Sequence, residues 1–122
     1  MRALFIFLSS ILFLTKGYSQ APSADFSANP TTVCANNLIL FSNQSSSSST
    51  ISSFSWDFGD GNSSNIENPS HSYSLPGTYT VTLVVVDANG SADAEVKANY
   101  ITVLASPLAG FTISGLGCTV PL

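Results

Sequence analysis

The sequence contains few charged residues, and basic ones are the scarcest. Charged side chains make up 8% of its 122 residues, with three Lys and Arg against seven Asp and Glu. Such a chain has no basic patch to neutralise phosphate groups, which argues against a nucleic-acid partner. Strong helix formers are also sparse while β-branched residues are plentiful. This balance predicts a single all-β domain.

The chain also lacks an apolar run long enough to span a bilayer. The apolar segment from Ala3 to Leu14 is far shorter than the ~20 residues that a membrane helix needs. With a basic start and small residues at Gly17 and Ser19, it predicts a secretory signal peptide over residues 1–19, cleaved before Gln20. Two alternatives remain. Cleavage could occur later, after Ala21, or the apolar segment could be a buried strand or helix of the domain instead of a signal peptide.

Cleavage at this point would remove two of the three bases. It would leave Lys97 as the single base against seven acids, a net charge of −6. The mature protein would then be secreted or displayed at the cell surface, with no membrane span after cleavage.

Histidine is nearly absent, which limits the chemistry available to the chain. His71 is the only histidine, and the spacing of the sequence implies no nucleophile–histidine–acid arrangement. A metal centre built on one histidine would need several partners that the sequence does not place. We therefore predict no catalytic residue in this chain.

The aromatic residues concentrate in the stretch from Phe54 to Gly61. Phe54, Trp56 and Phe58 alternate with polar residues, which predicts a half-buried strand whose aromatic rings face a core. The strand ends at Gly59-Asp60-Gly61, where the glycines allow the positive φ angles of a tight turn.

The rest of the chain alternates in the same way and is punctuated by turns, which predicts about seven strands in a two-sheet antiparallel sandwich. Besides the aromatic strand, the clearest segments are Ala24–Ala28, Leu38–Asn43, a short strand bearing His71, Tyr73 and Leu75, Thr78–Asp87, and Ala92–Val103 with a bend near Lys97–Asn99. Residues 44–53 are a flexible serine-rich connection.

The alternation also predicts which side chains face the core. Tyr79, Val81, Leu83 and Val85 form the inner face of the longest strand, whereas Leu38 and Leu40 leave the inner face of their strand open. Ile101 and Val103 point inward. Trp56 packs between the sheets, Tyr79 occupies a tyrosine-corner position, and Tyr100 points outward.

Three ordered motifs closely resemble the polycystic kidney disease (PKD) domain family. They are Trp56-Asp57-Phe58-Gly59-Asp60-Gly61, then Pro69-Ser70-His71-Ser72-Tyr73, then Gly77-Thr78-Tyr79-Thr80-Val81-Thr82-Leu83. The resemblance covers Ala24–Val103 and implies an immunoglobulin-like β-sandwich found outside the cell, often as tandem repeats in bacterial surface proteins and secreted hydrolases. It also implies a structural hydrogen-bonding role for His71 and a Bacteroidetes-like source.

The end of the sequence echoes its beginning. Ala109–Thr112 resembles Ala24–Ser27, and Cys118 follows Cys34 at an offset of 84 residues. We therefore predict a signal peptide (1–19), a linker (20–23), a PKD-like domain (24–104), and a linker with the truncated start of a second PKD-like repeat (105–122).

Equivalent positions in successive repeats should lie about one domain apart. A disulfide requires Cα atoms within ~7 Å, so we expect no bond between Cys34 and Cys118. Cys34 is then an unpaired thiol, and Cys118 has its partner further along the chain.

The acidic turn offers one candidate metal site. Asp57, Asp60 and Asn62 carry oxygen atoms of the kind that calcium prefers, but they lack the spacing and the distal Glu of a helix-loop-helix site. The alternative is that these side chains accept hydrogen bonds from turn amides. We expect the alternative, with calcium at Asp57 and Asp60 as the weaker hypothesis and no other cofactor.

Together these patterns predict a non-catalytic extracellular module that acts as a spacer and as an adhesion or protein-interaction domain. Its partners would be extracellular proteins or polysaccharides and neighbouring repeats. The second hypothesis is an accessory substrate-binding module of a secreted hydrolase. No outward stack of aromatic residues supports sugar binding.

Overall fold

Eight strands form two facing sheets in the computed structural model, which describes residues 20–106 and Cys118. The strands are β1 (Phe26–Asn29), β2 (Thr32–Cys34), β3 (Leu38–Asn43), β4 (Ile51–Asp57), β5 (Ser63–Ser64), β6 (Ser70–Ser72), β7 (Gly77–Asp87) and β8 (Ala92–Leu104). No helix in this part of the chain is long and apolar enough to cross a membrane.

The smaller sheet has the order β1-β3-β6 and the larger sheet the order β2-β8-β7-β4-β5. All pairs are antiparallel except one, because β2 lies parallel to the last residues of β8, with Thr32 opposite Thr102 and Cys34 opposite Leu104. The predicted all-β sandwich is confirmed. The sequence pattern missed β2 and β5, which are too short for alternation to reveal.

The core lies between the sheets and is centred on Trp56. Its indole ring contacts Phe26 and Phe41 of the opposite sheet at centroid distances of 5.2 and 5.6 Å. Such aromatic pairs stabilise a core beyond the area that they bury. The predicted position of Trp56 between the sheets is therefore correct.

The predicted faces of the strands are also correct where the alternation was clear. Val81, Leu83 and Val85 are fully buried on β7, as are Ile101 on β8 and, nearly so, Val103. On β3 the structure decides the open question, because Ile39 and Phe41 are buried while Leu38 and Leu40 are more than half exposed.

The predicted bend in the last strand coincides with a shift in the register between β7 and β8. Tyr79 pairs with Ile101, but Val81 pairs with Lys97, so β8 carries extra residues between these two points. Asn99 takes up the distortion with a φ of 51°. Such irregularities bend a strand and interrupt its pairing.

Two side chains lie where the sequence did not place them. Leu75 is 69% exposed and lies beyond the end of β6 rather than on that strand. Tyr100 was predicted to point outward, yet its ring packs edge-on against Phe26 at 5.7 Å. Its hydroxyl also accepts a hydrogen bond from the amide of Ala28, 3.2 Å away. The extra residues in β8 change the alternation just before Tyr100, which explains the error.

The cysteine prediction is wrong. Cys34 and Cys118 form a disulfide with Cα atoms 5.5 Å apart. The parallel pairing of β2 with β8 explains the difference, because it places Cys34 beside Leu104, where the last strand ends. The chain therefore needs only the residues after Leu104 to return to Cys34, rather than the length of a whole domain.

The chain enters and leaves the sandwich at opposite ends. The carbonyl of Gln20 accepts a hydrogen bond from the hydroxyl of Ser48, in the turn that packs beside the β7–β8 hairpin. Leu104 lies instead beside the start of β7, since Val103 pairs with Gly77. The eleven residues of β7 separate these ends, a distance of roughly 36 Å at 3.3 Å per residue.

The predicted signal peptide, and nearly all of the predicted second repeat, lie outside the described residues. Residues 20–23, expected as a linker, contact the sandwich through paired backbone hydrogen bonds between Ser23 and Ser46.

Candidate functional site

The three sequence motifs meet at the end of the sandwich where β4 and β6 finish and β7 begins. Trp56 closes the inner side of this region, with its Nε1 donating a hydrogen bond to the carbonyl of Ile66 at 2.9 Å. Pro69 is buried at the start of β6, and its carbonyl accepts a hydrogen bond from the amide of Phe41 at 2.9 Å. Both contacts fix the loop between β5 and β6 against the core.

The turn from Asp57 to Asn62 is held by its own carboxylates. Asp57 Oδ1 accepts a hydrogen bond from the amide of Gly59 at 2.9 Å, and Asp60 Oδ1 accepts one from the amide of Asn62 at 3.0 Å. Gly59 has a φ of 84°, and a Cβ there would collide with the carbonyl oxygen of Thr80. Both carboxylates thus act as local caps of the turn.

His71 joins this turn to the smaller sheet. Its Nε2 lies 2.7 Å from Asp60 Oδ2, and its ring stacks on Phe58 at a centroid distance of 4.2 Å and an angle of 9°. Burial pushes the pKa of the Asp60 carboxyl upward. The hydrogen bonds from His71 and Asn62 outweigh that effect and hold the pKa below its ordinary value.

Two tyrosines complete the cluster. The buried hydroxyl of Tyr73 donates to the carbonyl of Phe58 at 2.8 Å, and its ring stacks on Tyr79 at 4.1 Å. Burial, with nearby Asp60, raises the pKa of Tyr73. The hydroxyl of Tyr79 donates to the carbonyl of Leu75 at 2.6 Å, four residues upstream, as in a tyrosine corner.

These contacts leave the cluster little capacity for chemistry. The contacts of the His71 ring with Asp60, Phe58 and Tyr73 supply no activated nucleophile. No group of three or more His, Cys, Asp or Glu within the described residues could hold a metal ion. The residues brought together here stabilise a turn and a sheet junction.

Sequence reasoning missed one buried acid. Asp87 is 1% exposed at the end of β7, where its Oδ1 accepts hydrogen bonds from the amides of Asn89 and Ser91 at 2.9 and 3.0 Å. An Asp directly before the Ala88-Asn89-Gly90 turn was the available signal, because Asp side chains commonly bind the amides of the turn that follows.

One open pocket of about 270 Å³ lies at the opposite end of the sandwich. Its walls come from the first described residues and the serine-rich turn, namely Gln20, Ala21, Ser23, Ser46, Ser47 and Ser48. No titratable or aromatic side chain lines it, so it offers only hydroxyl, amide and backbone groups to a ligand.

Comparison with known proteins supplies a family and several relatives. The family model described as PKD domain matches residues 19–103. Collagenase ColA of Clostridium perfringens is 45% identical over 47 residues, which is 38% of this chain and 4% of the relative. Pre-pro-metalloprotease PrtV of Vibrio cholerae is 45% identical over 49 residues, which is 40% of this chain and 5% of the relative. The chain therefore spans only a small fraction of these relatives.

Solved structures show the same fold. The PKD1 domain of the Vibrio cholerae metalloprotease PrtV superimposes with a TM-score of 0.60 at 35% identity, covering 69% of this chain and 98% of that domain. A structure titled for carbohydrate-binding modules of the β-sandwich superfamily gives a TM-score of 0.66 at 28% identity, covering 77% of this chain and 39% of that one.

Proposed function

Because this chain belongs to the PKD domain family, we propose that it is a non-catalytic module of an extracellular protein. In this proposal it separates neighbouring domains and contributes contacts to other proteins. The observation that carries the proposal is that the chain enters the sandwich near Gln20 and leaves it near Leu104, at opposite ends of the larger sheet. A module of this kind adds its full length to a chain without folding the chain back on itself.

The bonding of the polar cluster supports a non-catalytic role. Asp57, Asp60 and His71 use their polar atoms on turn amides and on one another. An active site needs groups free to contact a substrate, with at least one placed for proton transfer or attack. We expect no hydrolysis when the purified protein is incubated with casein, gelatin or chitin, and measurable hydrolysis would contradict the proposal.

An accessory substrate-binding role in a hydrolase is the second candidate function. It is favoured by the relatives in sequence, which are a collagenase and a metalloprotease. A structural neighbour from work on carbohydrate-binding modules extends the candidate ligands to polysaccharides. The hydroxyl-lined pocket at Ser46–Ser48 is the place where such a ligand would contact the module.

Retention on insoluble polymers separates the two functions. The protein from Gln20 to Leu122 is passed over collagen, chitin and cellulose, with bovine serum albumin as the control protein. A spacer passes through all three columns unretarded. Clear retention on one polymer favours the substrate-binding function, and a Ser46→Ala, Ser48→Ala double variant would then test the pocket.

Extracellular location and calcium binding need their own measurements. Secretion predicts that protein from a secreting host begins at Gln20, and a product that still begins at Met1 would contradict it.

For calcium at Asp57 and Asp60, a thermal melt with and without chelator is decisive. An unchanged melting temperature removes the metal from the proposal.

A further inference from the structure

The N-terminal half of β8 is an open edge of the larger sheet. β7 pairs with one side of β8 along its length, whereas β2 covers the other side only at Thr102–Leu104. Within the described residues, no strand pairs with Ala92–Lys97 on that side. An uncovered edge offers unpaired N–H and C=O groups to an added strand.

The hairpin bonding identifies the groups that are free. The amide of Asp87 donates to the carbonyl of Ser91 at 2.8 Å, so Ser91 is in a hydrogen-bonded pair with β7. Hydrogen-bonded and non-hydrogen-bonded pairs alternate in an antiparallel ladder. The backbone groups of Ala92, Ala94 and Val96 therefore point away from β7, toward solvent, and all three residues are exposed.

This open edge is limited in length at both ends. The β7–β8 hairpin turn at residues 88–91 closes one end, and the register offset with Asn99 at a φ of 51° closes the other. The segment between them, Ala92–Lys97, is six residues long, or roughly 20 Å. It accommodates one short extended segment.

The two faces along the edge differ in chemistry. On the inner side, Asp93 and Glu95 lie in β8 beside Lys97, whose Nζ is 3.3 Å from Asp25 Oδ1 and 3.5 Å from Glu95 Oε2. The Asp93 carboxylate accepts a hydrogen bond from the amide of Ala24 at 2.7 Å. This side of the edge therefore carries three carboxylates, those of Asp25, Asp93 and Glu95, and one ammonium group. On the outer side the register places Ala94 beside Val84 and Ala92 beside Val86, and this side is apolar.

We propose that the edge Ala92–Lys97 binds an extended, basic segment of another protein as an added β-strand. Lys or Arg side chains of that segment pair with Asp93 and Glu95, and the alternate residues are small and apolar beside Ala92, Ala94 and Val96. Opposite charges directly across from each other stabilise a strand pair. The inference rests on the proposed function as an interaction module, and it names the surface and the partner.

A second copy of this chain is a poorer occupant. Pairing two such edges brings together two surfaces with the same excess of carboxylates, and like charges across an interface are unfavourable. Lys97, a charge on the inner side of an edge strand, further opposes indiscriminate pairing. The edge therefore selects by charge rather than by apolar contact alone.

The test uses the disulfide-bonded protein from Gln20 to Leu122 and two blocked six-residue peptides. One peptide alternates lysine with valine, and the control alternates glutamate with valine. Amide hydrogen exchange is followed by NMR. We expect the lysine peptide to slow exchange at Ala92, Ala94 and Val96 at least fivefold, and the glutamate peptide to have no effect.

Two variants make the test specific. The Asp93→Asn, Glu95→Gln pair should weaken lysine-peptide binding about tenfold, since each charge pair contributes a few-fold. The matched pair Asp57→Asn, Glu67→Gln removes the same charge elsewhere and should leave binding unchanged. Ala94→Pro should abolish binding without loss of a bond to β7, because the amide of Ala94 faces solvent.

Four results would overturn the proposal: no protection at millimolar peptide, equal protection by both peptides, protection at Ile51–Ser55 of β4 instead, or a concentration-dependent dimer whose formation protects Ala92–Val96. If the module is retained on collagen or on a polysaccharide but ignores both peptides, only this edge site fails. If it cleaves a substrate, the proposed function fails, whatever the peptides do.

Discussion

At the residue scale, the turn after β4 depends on two glycines for different physical reasons. Gly59 and Gly61 both have positive φ angles, of 84° and 91°. A Cβ at Gly59 would also meet the backbone of Thr80, whereas nothing lies within 4 Å of a Cβ at Gly61. The first glycine is required by space and conformation, the second by conformation alone.

Alanine substitutions separate these effects. Gly61→Ala should lower the free energy of unfolding by ~1 kcal/mol, the cost of an unfavourable φ. Gly59→Ala should cost ~3 kcal/mol or more, because the backbone of β7 must also move. Urea denaturation measures both values. Equal losses would mean that the contact with Thr80 does not constrain the turn.

The two tyrosine hydroxyls differ in burial. Tyr73→Phe leaves the carbonyl of Phe58 without its partner in a buried place and should cost ~2 kcal/mol. Tyr79→Phe loses a bond to the Leu75 carbonyl that water can reach, and should cost ~0.5–1 kcal/mol. Thermal and urea denaturation of the two variants provide the comparison, and the reverse order would contradict it.

The lowered pKa of Asp60 makes part of the stability depend on pH. A carboxyl whose pKa is lower in the folded than in the unfolded state stabilises the fold when it is ionised. This contribution is fully present above the unfolded pKa, near 3.8. It is lost as the pH falls through the folded pKa. Asp60→Asn should therefore be less stable than the wild type at pH 7. The gap in unfolding free energy should shrink steadily below about pH 4, and a gap independent of pH would exclude this role.

At the element scale, β3 shows how alternation sorts one strand into two environments. Ile39 is fully buried and its neighbour Leu40 is 56% exposed. Ile39→Ala should lower the unfolding free energy by ~2–4 kcal/mol. Leu40→Ala should change it by less than ~0.5 kcal/mol. Chemical denaturation of the pair tests the assignment of faces, and similar losses would show that Leu40 is covered by another part of the chain.

The elements that sequence alone predicted correctly are those with long alternation or strong turn residues. β7 and β3 were predicted within one residue of their observed bounds, and the inner face of β7 was correct throughout. β2 was missed because three residues carry too little periodicity. The inward turn of Tyr100 was missed because extra residues in β8 change the alternation where no glycine or proline marks them.

The same limits apply to the candidate site. The motifs placed Trp56, His71, Tyr73 and Tyr79 in one structural group, and the structure brings them together around Phe58 and Asp60. Pairing between strands distant in sequence could not be derived from local pattern. That is why the short distance from Cys34 to the end of β8 went unrecognised.

At the scale of the whole molecule, the disulfide closes a loop across nearly the entire domain. It joins residues 84 positions apart, so its main effect is to restrict the unfolded chain. Cys118→Ser, or reduction of the wild type, should lower the unfolding free energy by ~2–4 kcal/mol. Denaturation with and without a reducing agent measures the loss. The Cys34→Ser, Cys118→Ser double variant should match either single variant, and an additive loss would contradict a purely covalent role.

The position of this bond also determines how the domain carries a pulling force. Tension applied before Gln20 and after Cys118 would pass through β1 and β2 to Cys34 and then cross directly into Cys118. The 83 residues between the two cysteines, which include β3 through β8, would bear no load. While the disulfide is oxidised, a stretched chain could lengthen only by detaching β1 and β2, and the rest of the sandwich would stay folded under strain that would otherwise extend it.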